Sequence, residues 1–211
     1  MRLRSLAAAL ALLLPVTADP PVARATEGGP GLAKQSLAEC KAGRAARDRA
    51  MRLEHFETGL ALAQRAVEAA PRTADAYFSR FCNKGELARI DGESVAALVA
   101  LGGLMADLDK TLEINPNHSE ALASKGILLV RLPRLFGGDQ AAGEAMLRRV
   151  LVLDPLAVNS RLVLAECCSA RGEREEARRL AHRALEIATE KGQDDKVAEA
   201  RAVLAKLGDS R

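Results

Sequence analysis

Four segments of this chain end in the same way. Residues 56–71 read FETGLALAQRAVEAAP, 105–116 MADLDKTLEINP, 143–155 GEAMLRRVLVLDP and 174–189 REEARRLAHRALEIAT. Each places apolar residues at i, i+3, i+4 and i+7, the period of a helix with one buried face. In the last segment Ala177, Leu180, Ala181, Ala184, Leu185 and Ala188 form that stripe. The first three segments stop at Pro71, Pro116 and Pro155. Proline forbids helical continuation and pushes the preceding residue out of the α region. A helix of this kind needs a neighbour to cover its stripe, and tandem copies supply one another.

Composition points the same way. The 211 residues are 48% hydrophobic yet only 2% aromatic, with no Trp and a single Tyr. The core must then be built from Ala, Leu and Val, and Ala and Leu are the strongest helix formers. An all-β sandwich is disfavoured, and a disulfide-dense scaffold and general disorder are excluded.

The spacing is informative. Pro71 and Pro116 are 45 residues apart, Pro116 and Pro155 39, and Pro155 and Thr189 34. A 34-residue unit of two helices is the tetratricopeptide period. Residues 158–189 resemble a tetratricopeptide repeat (TPR) through Ala165, Gly172, Ala177, Ala184 and the helix-ending slot at Thr189. Residues 119–155 resemble another through Leu122, Gly126, Leu129, Leu147 and Pro155, with Gly143 where the pattern wants Ala. Residues 37–71 match through Gly59, Ala63, Ala66 and Pro71, and residues 74–116 through Tyr77 and Pro116, with Lys84 at a usually aromatic slot. The resemblance implies an all-α fold: a TPR-like α-α superhelix of about four helix pairs over 35–190, plus a C-terminal capping helix and tail over 191–211. The cap is the amphipathic run from Asp194 to Leu207, which covers the exposed face of the last repeat.

Two repeats exceed the period. The one ending at Pro116 carries 11 extra residues, almost three helical turns, so its apolar face keeps its direction. Val95, Leu98, Leu101, Met105, Leu108 and Leu112 accordingly form one stripe, predicting a long helix over about 93–113. The one ending at Pro155 carries 5 extra, placed in the Pro- and Gly-rich loop Leu132–Asp139, with Asp139 as N-cap of the next helix. This combination of long helix, LEINP and Pro-Gly-Gly-Asp loop is similar to the helical periplasmic partners of tripartite ATP-independent periplasmic (TRAP) transporters.

The chain begins Met-Arg-Leu-Arg, then runs apolar from Leu6 to Val16, with small residues at Ala18, Ala23 and Ala25. That is the layout of a cleavable signal peptide over 1–25, cut after Ala18 or Ala25. No cysteine near either site offers a lipid anchor. Periplasmic or secreted localisation follows, without stable membrane insertion after cleavage. Residues 26–34, rich in Gly and Pro, read as a flexible linker.

The formal charge is +3, spread along the chain. Arg44, Arg47, Arg49 and Arg52 read as a solvated helix face, and without stacking aromatics no nucleic-acid partner is expected. His55, His118 and His182 lack metal-ligand spacing, and His118 and His182 read as surface residues. No catalytic constellation, cofactor site or metal site is visible, so no enzyme is expected. Gly137-Gly138 reads as a turn rather than an anion cradle. Cys40, Cys82, Cys167 and Cys168 are expected as buried thiols without a bridge, Cys40 and Cys82 being offset by about eight helical residues, ~12 Å. The vicinal pair offers a sharper alternative, redox sensing or soft-metal binding.

By the TPR resemblance the first helix of each repeat lines a concave groove. The positions carried over are Asp75, Phe78, Ser79 and Cys82; then Glu120, Ala123, Ser124, Ile127 and Arg131; then Asn159, Leu162, Val163 and Glu166. This implies an exported, non-catalytic adaptor binding a protein or peptide partner. The alternative is a periplasmic small-ligand carrier or TRAP-type transporter accessory subunit. Its pocket would lie between the long helix around Val95–Leu112 and the Leu132–Asp139 loop.

Overall fold

The computed structural model describes residues 28–90 and 95–208. The signal-peptide expectation falls on residues outside these. The described chain is all helical: α1 (Gly29–Ala45), α2 (Arg49–Ala69), α3 (Ala74–Arg89), α4 (Val95–Ile114), α5 (Ser119–Arg131), a short 3-10 turn (Arg134–Phe136), α6 (Gln140–Leu153), α7 (Val158–Ala170), α8 (Arg174–Glu190) and α9 (Asp194–Lys206). Consecutive helices pair as the hairpins α1–α2, α3–α4, α5–α6 and α7–α8. The hairpins stack through α1 and α2 on α3, α4 on α5, and α6 on α7, while α9 lies on α7 and α8.

Local sequence explains the ends. Asp48 and Asp139 cap α2 and α6, accepting hydrogen bonds from the Met51 and Ala142 amides. The expected irregular linker gives way at Gly29, where α1 begins. Pro30 lies in the first turn, where no N–H is needed and its fixed φ already suits a helix. Gly29 is buried against the end of α2; a Cβ there would lie 2.2 Å from the Ala70 Cβ. The long hairpin is lengthened in both helices: α3 has 16 residues against 13 in α5, and α4 has 20 against 14 in α6. The extra residues after Arg131 form the 3-10 turn, which closes at Gly137 with φ +85°.

The core is continuous at the C-terminal end. The stripe Ala177, Leu180, Ala181, Ala184 and Ala188 of α8 is buried against Leu162, Leu164, Ala165 and Cys168 of α7 and Ala200, Val203 and Leu204 of α9. Toward the N-terminus the apolar contacts divide into smaller clusters, and polar and covalent joints supplement them. Asn83 of α3 is fully buried and donates to the Ser36 carbonyl (3.1 Å) and hydroxyl (3.0 Å) of α1. Ser36 in turn donates to the Gly59 carbonyl of α2 at 2.7 Å. Gly59 is required there, since a Cβ would lie 2.2 Å from Asn83 Oδ1.

The covalent joint corrects the reading of the cysteines. Cys40 and Cys82 form a disulfide between α1 and α3, with Cα atoms 6.3 Å apart. The supposed offset failed because α1 starts early. Cys40 is 11 residues in from Gly29 and Cys82 is 8 in from Ala74, so the two differ by three residues along parallel neighbours, not eight. Cys167 and Cys168 are free and buried. Burial pushes the Cys167 thiol up to about 11 and raises Cys168 as well. Both stay protonated at neutral pH, which disfavours redox sensing and metal binding. The native protein should leave both thiols unlabelled by iodoacetamide at pH 8, as checked by mass spectrometry; rapid labelling would contradict their burial.

Gly143 explains its departure from the repeat pattern. A Cβ there would lie 2.6 Å from the Gly126 carbonyl oxygen, so α5 and α6 cross backbone to backbone. Gly143→Ala is expected to cost about 1–3 kcal/mol through overpacking. Gly102, on exposed α4 surface with nothing within 4 Å of a Cβ, is the contrasting site. Gly102→Ala should stabilise by about 0.5–1 kcal/mol through helix propensity. Thermal unfolding of both variants checks the pair.

Candidate functional site

The expected groove residues divide into two groups. Phe78, Ser79, Cys82, Leu162 and Val163 are core. Phe78 stacks on Phe81 at 5.8 Å between ring centroids and on His118 at 4.7 Å. Ser79 donates to the Ala76 carbonyl within its own helix, and Cys82 is in the disulfide. Leu162 packs in the C-terminal cluster with Val163. These five line no open surface. Phe78 is covered by Leu108 of α4 and Ala121 of α5, Cys82 by Cys40 of α1, and Leu162 and Val163 lie within the α7–α9 cluster.

Asp75, Glu120, Arg131, Asn159 and Glu166 are exposed, with Ala123, Ser124 and Ile127 half-buried. They form a polar strip along α5 and α7, joined to α3 at one end. Arg131 Nη2 approaches Glu166 Oε2 at 3.4 Å, linking the two helices. Asp75 Oδ1 meets His118 Nε2 at 3.1 Å. His118 corrects a second expectation: it is buried, not exposed. Its Nδ1 accepts from the Ala121 amide and so caps α5, while its ring covers Phe78. Sequence pattern gave no sign of this, because histidine is not a usual cap residue.

The turn after α5 carries two exposed apolar side chains. Leu135 is 87% exposed and Phe136 44%. Beside them an open cleft of 680 Å³ lies between the Leu132–Asp139 loop, α6 and the α7–α8 turn. Val130, Leu132 and Ala145 supply its apolar surface; Arg134, Arg148 and Arg171 supply charge. Arg171 is ion-paired with Glu144 and with Glu173, its guanidinium held protonated by Glu173 first and Glu144 second. The carrier alternative expected a pocket enclosed between this loop and α4. The loop does border a cleft, but α4 contributes none of its lining. Among the described residues no group of three His, Cys, Asp or Glu side chains is placed to hold a metal, and no helix is long and apolar enough to cross a membrane.

Solved structures share this fold. The chain superposes on a thermophilic TPR protein of Thermus thermophilus with a TM-score of 0.62, covering 87% of this chain and 85% of that one at 19% identity. The fold is a tetratricopeptide-repeat solenoid. The MamA protein shares it more loosely, with a TM-score of 0.50, 84% and 85% coverage and 13% identity. No protein-family model and no curated protein sequence matches the chain. At these identities the likeness carries the architecture of the solenoid and nothing about partners.

Proposed function

We propose that this chain is an exported, non-catalytic adaptor that docks a partner protein or peptide along α5 and α7 and over the turn after α5. The observation that carries the reading is the exposure of Leu135 and Phe136 on the loop that follows Arg131 and borders the open cleft. Aromatic and Arg side chains beside a cleft are what protein interfaces use as anchors. Exposed apolar side chains grouped on one turn of a polar surface mark a contact site rather than a packing need. Export is supported separately. The buried Cys40–Cys82 bridge belongs in an oxidising compartment, and the signal-like N-terminus provides the route.

The double variant Leu135→Ala, Phe136→Ala and the single variant Arg131→Ala test the surface. These side chains are exposed, so thermal stability should stay within about 0.5 kcal/mol of the parent. Partner recovery from an envelope extract should fall about tenfold or more, since an anchor residue is worth about 2 kcal/mol. Undiminished recovery by both variants would remove this surface from consideration.

A further inference from the structure

A second cleft, of 400 Å³, opens between α2, α3 and α4. Lys84 and Arg80 rise from α3, Gln64 and Leu60 from α2, and Asp107 and Ala106 from α4. Asp107 is 2% exposed, an expensive place for a carboxylate. Arg80 offsets the cost: Nε donates to Asp107 Oδ1 at 3.0 Å, and Nη2 donates to the same oxygen. The guanidinium also lies over the Tyr77 ring, 5.3 Å from its centroid. Arg80 is therefore fixed on three sides with Nη1 unspent. The second Asp107 oxygen, Oδ2, is buried without a hydrogen-bond partner.

Lys84 is the residue that departs from the aromatic slot of the repeat pattern. It is half-buried and makes no ion pair among the described residues. Its ammonium rests over α4 where Gly103 leaves room; a Cβ on Gly103 would lie 2.4 Å from Lys84 Nζ. The cleft thus holds two cations against one carboxylate. One surplus positive charge, a preset guanidinium edge and an amide converge beside the apolar Leu60 and Ala106.

We infer that this cleft binds a small organic carboxylate. The ligand carboxylate accepts from Lys84 and from the free edge of Arg80, and its apolar body lies on Leu60 and Ala106. The single surplus charge suits a monoanion rather than a phosphate dianion, and the volume suits a molecule of a few carbons. The site is independent of the docking surface and needs no partner protein.

Titration calorimetry and thermal shift on the purified full chain test this with sodium butyrate as probe and butylamine, 1-butanol and inorganic phosphate as controls. Butyrate should bind saturably and raise the unfolding temperature, and the controls should do neither. Lys84→Met keeps the aliphatic stem and should weaken butyrate about tenfold or more, the worth of one charge-assisted hydrogen bond, with unchanged circular dichroism. Leu135→Ala with Phe136→Ala should leave butyrate binding intact, which separates this site from the docking surface. Failure of butyrate, isovalerate and benzoate all to bind, or equal butyrate affinity in Lys84→Met, overturns the inference.

Discussion

Cys40→Ser is expected to lower the stability of the oxidised protein by about 4 kcal/mol, because the bridge to Cys82 closes a 42-residue loop in the unfolded chain. At this chain length that is a fall of about 8–16 °C in the unfolding midpoint. The site concentrates the effect. A solenoid is stabilised repeat by repeat through nearest-neighbour contacts. The first hairpin meets α3 through small clusters, the Asn83 network and this bridge. Hydrogen exchange should therefore accelerate in α1–α3 and change little in α7–α9. A reducing agent should bring the parent protein to the same midpoint as the variant and leave the variant unmoved. A midpoint insensitive to both would mean that the joint does not form.

Phe78→Ala is the second large effect, about 3–5 kcal/mol. The resemblance placed Phe78 in the groove, where truncation would weaken binding and leave stability alone. In the structure it clusters with Leu108 of α4 and Ala121 of α5, under the His118 ring. Its removal leaves a cavity at the junction between the N-terminal and C-terminal hairpins. Unfolding should then separate into two steps by calorimetry, the C-terminal step remaining near its parent temperature. A one-step transition at the parental midpoint would return Phe78 to the surface.

The two halves of the chain were not equally legible. Over α7–α9 the 3.6-residue stripe, the Gly172 turn and the burial all agree, because Ala-rich helices at a regular period leave one way to pack. The long α4 and the Asp139 cap were readable for the same reason. The first hairpin was not. Pro30 looks like a breaker until its place in a first turn is known, and an error of under two helical turns in the start of α1 moved Cys40 out of reach of Cys82. The groove set divides between core and surface. Periodicity tells which face of a helix is apolar, but it does not tell how a lengthened neighbour covers the rest. Lys84 was visible as a departure from the repeat pattern; its meaning needed Gly103 and Asp107 brought beside it by α4.

On the proposed function, the hairpin stack is exported and then closed by the Cys40–Cys82 bridge. Intact-mass and peptide mass spectrometry on protein expressed with its own N-terminus in a Gram-negative host, fractionated and alkylated before lysis, tests it most directly. The expected species is periplasmic, begins after Ala18 or Ala25, and contains a linked Cys40–Cys82 peptide pair with Cys167 and Cys168 unlinked. A cytoplasmic species that retains Met1 and carries four unlinked cysteines would contradict it.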